Sequence, residues 1–138
     1  MLILDADAAM SIVSDGPGRN LLESYIDQCP RVISSEFLLL ECSNAIRKFI
    51  RGGFTDTETG KDWLTKIESM VDEFYPIKPD AHEILTESLR LNHSPYDLHY
   101  LILAKRFNAE VVSLDKRFID ICVSEGLNIS TIVDFPTN

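Results

Sequence analysis

The sequence predicts an α/β fold: three layers, with a mostly parallel central sheet flanked by helices. Short apolar runs alternate with longer segments of helical spacing, the pattern of parallel strands joined by crossover helices. Two runs, Leu2-Ile3-Leu4 and Glu110-Val111-Val112-Ser113-Leu114, stop at an aspartate, Asp5 and Asp115. No linker or internal repeat divides the 138 residues, so residues 1–138 are expected to form a single domain.

Each element has a local reason. Leu2-Ile3-Leu4 reads as a buried strand, and Ala8 to Val13 as a helix broken by Asp15-Gly16-Pro17-Gly18. Arg19 to Asp27 places Leu21, Leu22, Tyr25 and Ile26 on one helical stripe. Arg31-Val32-Ile33-Ser34 is the second strand, and Ser35 to Arg51 the longest helix, stopped by Gly52-Gly53. Thr57 to Phe74 repeats Trp63, Leu64, Ile67, Met70 and Val71 at helical spacing. Phe74-Tyr75-Pro76-Ile77 is a short strand that Pro76 confines to a sheet edge. Helices follow over Asp80 to Leu91 and Pro95 to Phe107. After the Glu110 to Leu114 strand comes a helix to Glu125, with Gly126 at its stop, and a last strand over Ile129 to Val133.

Composition narrows the class. Hydrophobic residues make 45% and charged residues 25%, enough apolar content for a core and too much for disorder. No apolar run approaches the ~18 residues of a membrane span. The start, Met1-Leu2-Ile3-Leu4-Asp5, lacks the basic region of a signal peptide. Three cysteines, Cys29, Cys42 and Cys122, are odd in number and share no metal spacing, which suits free thiols in a cytoplasmic protein. Lys and Arg number 13 against 22 Asp and Glu, for a net charge of −9. A protein that grips nucleic acid through a broad basic face usually has the opposite balance. Either the partner is not nucleic acid, or local basic strips and bound cations do the gripping.

Four acids stand out, each with a plain structural role beside a chemical one. Asp5 and Asp115 can be helix N-caps or carboxylates at the carboxyl edge of the sheet. Glu41 has Phe37, Leu38, Asn44 and Ala45 as helical neighbours, mostly not a solvated face, so it must be paired, be neutralised or ligate a metal unless its carboxylate reaches water at the boundary. Asp97 completes a capping-box pattern in Ser94-Pro95-Tyr96-Asp97, yet Leu101 and Ala104 extend inward from it. Clustered, four carboxylates could not all stay ionised without cations. Oxygen ligands of this kind suit Mg²⁺ or Mn²⁺, ions that can hold a phosphate and activate water.

At these positions the chain resembles the PIN-domain family, particularly the ribonuclease toxins of VapBC-type toxin–antitoxin pairs. The likeness runs from about Leu2 to Val133. It rests on Leu2-Ile3-Leu4-Asp5-Ala6-Asp7, on Glu41-Cys42-Ser43-Asn44-Ala45-Ile46, on Ser94 to Ala104 with its Tyr96-Asp97 and Tyr100, and on Ser113-Leu114-Asp115. The resemblance implies a PIN-like fold and a metal-dependent endoribonuclease. It makes Asp5, Glu41, Asp97 and Asp115 the catalytic and metal-binding set for Mg²⁺ or Mn²⁺, with Asn44 and Ser113 in support. Many relatives carry a small hydroxyl residue where this chain has Asp7, which adds a supporting acid. RNA as substrate, an antitoxin with a basic inhibitory segment, and a homodimer are implied as partners.

Two other readings belong to different classes. Asp5-Ala6-Asp7 also resembles the D-x-D of haloacid-dehalogenase-like phosphotransferases, although the following Gly and the late acidic pair are missing. The net charge of −9 equally suits a non-catalytic acidic module that binds a basic partner. His82, His93 and His99 lack metal-site spacing and read as surface or helix-packing residues. Arg47-Lys48, Arg51, Lys105-Arg106 and Lys116-Arg117 are small basic clusters, either solvated or available to phosphate.

Overall fold

A computed structural model describes residues 1–129. Strands β1 (Leu2–Leu4), β2 (Val32–Ser35), β3 (Glu73–Tyr75) and β4 (Glu110–Val112) form one parallel sheet in the order β3-β2-β1-β4. Helices α1 (Ala6–Val13) and α2 (Arg19–Gln28) join β1 to β2, and α3 (Phe37–Arg51) with α4 (Thr57–Met70) joins β2 to β3. A 3-10 turn (Lys78–Asp80), α5 (Ala81–Leu91) and α6 (Pro95–Phe107) lead to β4, which α7 (Lys116–Ser124) follows. Right-handed crossovers from β1 to β2 to β3 put their helices on one face, while the return from β3 to β4 puts α5 and α6 on the other. The three-layer α/β architecture expected from the sequence is thus the observed one.

The central strand β1 is buried along its whole length, as an apolar run between two helical layers must be. Helix α6 lies against β1, β2 and β4, and every residue from Leu98 to Ala104 is buried. Its apolar surface runs all round because it fills the centre of one layer. On the other side α3 packs against α4, with Phe49 and Trp63 edge to face at 5.5 Å. Gly60 permits that approach: a Cβ there would meet Ile46 and Ile50 side chains at 2.8 Å.

Several boundaries differ from the sequence reading, each for a stated reason. Ser35 belongs to β2 and not to the following helix, because its backbone pairs with Tyr75 of β3. Helix α4 ends at Met70, and Val71 turns extended so that Glu73 can start β3. β3 is an edge strand, and Pro76 follows it directly, where a missing N–H costs no ladder bond. β4 ends at Val112, releasing Ser113 and Leu114 into the turn that leads to α7. Ile129 bridges Val111 in parallel; the rest of the expected Ile129 to Val133 strand lies outside the described residues.

Candidate active site

The strand order creates a switch point between β1 and β4, since the chain leaves β1 on one side and comes back on the other. The crevice at the carboxyl ends of such strands is where open α/β sheets bind ligands. Asp5, just past β1, is both a helix cap and a buried carboxylate. Its Oδ1 accepts the Ala8 amide at 3.0 Å, capping α1, while its Oδ2 accepts the Ser113 hydroxyl from just past β4. Burial raises its pKa well above the usual range against the lowering effect of those two bonds, and the charges of Asp7 and Asp97 raise it further.

Ser113 ties two acids together. Its Oγ donates to Asp5 and also accepts the Asp115 amide at 3.0 Å. Asp115 then caps α7, its Oδ1 accepting the Arg117 and Phe118 amides at 3.1 and 3.3 Å. For Asp5 and Asp115 the capping role and the edge position therefore coexist, since a cap uses only one or two of a carboxylate's lone pairs.

Glu41 reaches the crevice from α3, with Cys42 beside it fully buried. Its Oε1 accepts the Tyr100 hydroxyl of α6 at 2.8 Å. Burial raises its pKa to about 7 despite that bond, and the Asp97 and Asp7 charges add to the shift. Asp97 opens α6 behind Ser94, which caps the helix through the Tyr96 amide at 3.5 Å. Instead of closing a capping box, Asp97 turns Oδ2 to His93 Nε2 at 2.8 Å. Asp7, one position into α1 from Ala6, is exposed, and its pKa is raised by partial burial and by the charges of Asp115 and Asp97.

The five acids thus occupy one electrostatic neighbourhood, each of Asp5, Asp7 and Glu41 being pushed up by others of the set. Uncompensated like charge is what a divalent cation neutralises, and all the donors are hard oxygens. By donor chemistry, Asp5, Glu41, Asp97 and Asp115 fit Mg²⁺ or Mn²⁺. Their side chains share charge across the crevice without forming a closed shell: among the described residues no group of three His, Cys, Asp or Glu is arranged to hold an ion.

An open cleft of about 830 Å³ adjoins the acids, with Asp7 and Glu41 in its lining beside Phe37, Asn44, Lys48 and Tyr96. Asn44 is exposed there and makes no side-chain hydrogen bond among the described residues. Cations are distributed unevenly around it. Arg19, Arg31, Lys66, Arg90, Lys105 and Arg106 are ion-paired elsewhere. Arg47 and Lys48, which line the cleft, and Lys116 and Arg117, which follow Asp115, form no ion pair among the described residues, and neither do Arg51, Lys61 and Lys78.

The PIN domain family model matches residues 2–123. This chain belongs to the PIN domain family. The match includes the Asp5-Ala6-Asp7 segment. The chain is 26% identical over 121 residues to "VapC ribonuclease Mb0985" of Mycobacterium bovis, spanning 87% of this chain and 90% of that protein. "Ribonuclease VapC9" of Mycobacterium tuberculosis gives the same identity and coverage. The crystal structure of PAE2754 from Pyrobaculum aerophilum superposes with a TM-score of 0.69 at 18% identity, over 86% of this chain and 82% of that one. That likeness concerns the fold.

Two residues beside the acids are not part of the site in the sequence reading: Tyr100 carries no role there, and His93 reads as a surface or helix-packing residue. Tyr100 stands three positions after Asp97, on the same helical face, and that spacing could have flagged it. His93 precedes its helix and offers no local signal. Among the described residues no helix of this PIN domain is long and apolar enough to cross a membrane.

Proposed function

We propose that this PIN-domain protein is an Mg²⁺- or Mn²⁺-dependent endoribonuclease and the toxin of a toxin–antitoxin pair, acting in the cytoplasm. The observation that carries the reading is the mutual charge of Asp5, Asp7, Glu41, Asp97 and Asp115 at the β1/β4 switch point. The names of the VapC relatives support RNA as the substrate and a toxin role.

When bound by Asp5, Glu41, Asp97 and Asp115, a divalent cation supplies charge for a phosphoryl oxygen and lowers the pKa of water. The protein's own groups prepare that site. Ser113 fixes Asp5 through Oδ2, and the α1 amide of Ala8 fixes Oδ1, so this carboxylate turns little. Tyr100 holds Glu41, and the phenol stays protonated because burial and the Glu41 charge raise its pKa. Lys116 and Arg117 beside Asp115, and Arg47 and Lys48 on α3, offer unpaired positive charge to the phosphates on either side. A protein of net charge −9 needs that local supply to approach RNA at all.

The same acidic crevice suits an antitoxin segment carrying an Arg, which would neutralise the carboxylates bidentately and exclude RNA. The protein is read as a homodimer by resemblance to the family. The deciding experiment incubates single-stranded RNA with the purified chain in Mn²⁺ and in excess EDTA. Cleavage in Mn²⁺ that stops in EDTA and in Asp97→Asn is the expected result. Undiminished cleavage in EDTA would sink the metal-dependent mechanism, and no cleavage under any cation would leave the acidic binding module in its place.

A further inference from the structure

We propose that Tyr96, backed by Phe37, is a stacking platform for an unpaired nucleobase of the RNA strand beside the acidic site. This rests on the nuclease reading above and names a subsite for its substrate. The two rings are nearly parallel, 9° apart with centroids at 5.4 Å, and Tyr96 remains 62% exposed. With one face held against Phe37, the Tyr96 ring keeps most of its surface in water and can offer a flat aromatic face to a ligand. Because Phe37 already restrains it, Tyr96 loses little freedom when a second flat group settles on it.

Position ties the ring to the chemistry. Tyr96 is the residue before Asp97, and Phe37 lies one helical turn before Glu41. The platform is therefore built on the same two helices as two of the acids. Its cleft continues along α3 past Asn44 to Arg47 and Lys48. From Phe37 to Lys48 the helix spans about 16 Å. Along that length stand an aromatic face, a free amide with both donor and acceptor, and two unpaired cations. Proteins that hold single-stranded nucleic acid combine these groups: cations follow the phosphates and rings stack the bases. A base inside a duplex has no free face to offer, so the substrate would be single-stranded or looped RNA.

The test uses Asp5→Asn protein, which keeps the RNA whole, and a fluorescent single-stranded RNA titrated by anisotropy. Tyr96→Ala in that background should weaken binding on the order of tenfold, while Tyr96→Phe and Tyr96→Trp should not. An abasic residue walked through the RNA should cost a similar factor at one position, and cost nothing further in Tyr96→Ala. The abasic walk on the parent needs no change at Tyr96, so a folding defect cannot mask the answer. Equal affinity in Tyr96→Ala, or losses that multiply with the abasic change, would overturn the platform. So would unchanged RNA binding with loss only of a protein partner, which would assign the ring to that partner. Should the wild-type chain cleave RNA while Tyr96→Ala binds like its parent, only the platform falls; should the chain bind no RNA, both readings fall.

Discussion

His93 Nε2 lies 2.8 Å from Asp97 Oδ2, and the other ring nitrogen, Nδ1, is buried with no hydrogen-bond partner among the described residues. A carboxylate accepts, so Nε2 is the donor in this pair, and the ring packs with Phe118 at 6.4 Å between ring centroids. The pair holds Oδ2 of Asp97 and leaves Oδ1 for another ligand. His93→Leu should weaken Mn²⁺ binding, read by calorimetry without RNA, by roughly 10- to 100-fold. His93→Gln, which can present an N–H at a similar reach, should recover most of it; equal affinity in all three proteins would remove His93 from the site.

Glu41 makes a pH prediction whose sign runs against ordinary acid denaturation. Its folded pKa is about 7, above an unfolded value near 4.5, so the folded state binds the extra proton. Its contribution is complete below about pH 4.5 and is lost as pH rises through about 7. Buried Asp5, raised in the same direction, adds to the effect. In EDTA, Tm should therefore fall by several degrees on going from pH 5 to pH 7.5. Glu41→Gln should flatten the slope, and Mn²⁺ should raise Tm most at the upper pH.

Asp5 separates catalysis from capping. Asp5→Asn keeps an acceptor for the Ala8 amide and removes a buried charge, so cleavage should disappear with Tm unchanged or higher. Asp5→Ala loses the cap as well and should cost about 1 kcal/mol of stability in urea unfolding. Full activity in Asp5→Asn would contradict the site.

A buried network outside the acidic crevice should matter for stability. His99 is bonded to Ser35 Oγ at 2.6 Å and to Asp80 Oδ2 at 2.9 Å, and Asp80 also accepts from Arg106. Burial pushes the Asp80 pKa up, but Arg106 and His99 outweigh it and hold it below the usual range. Asp80→Ala leaves the imidazole N–H buried and unpaired, and should destabilise by about 2–3 kcal/mol in urea. Because the folded pKa is depressed, the Asp80 contribution is present above the unfolded value, about 4, and fades as pH falls below it. Asp80→Ala should therefore narrow the gap to wild type in acid.

Local chemistry made much of this protein legible in its sequence. Leu2-Ile3-Leu4 followed by Asp5, and Val111-Val112 followed by Ser113 and Asp115, announce buried strands with polar residues at their carboxyl ends. Side chains of that kind need only their immediate neighbours to set strand, cap and turn. Gly52 and Gly126 marked the stops of α3 and α7 for the same short-range reason. Long-range pairing was decided by tertiary structure alone. Tyr100 meets Glu41 across 59 positions, and Ser113 meets Asp5 across 108, which no local pattern encodes. Ser35 went to β2 because β3 stood ready to pair with it, and tertiary hydrogen bonds outweigh helical propensity at a boundary. Asp97 left its capping box for His93 because folding buried an imidazole within reach, and a buried polar ring must find a partner. The acids were readable one at a time; their shared charge exists only where the sheet order brings β1 and β4 side by side and α3 and α6 over the same edge.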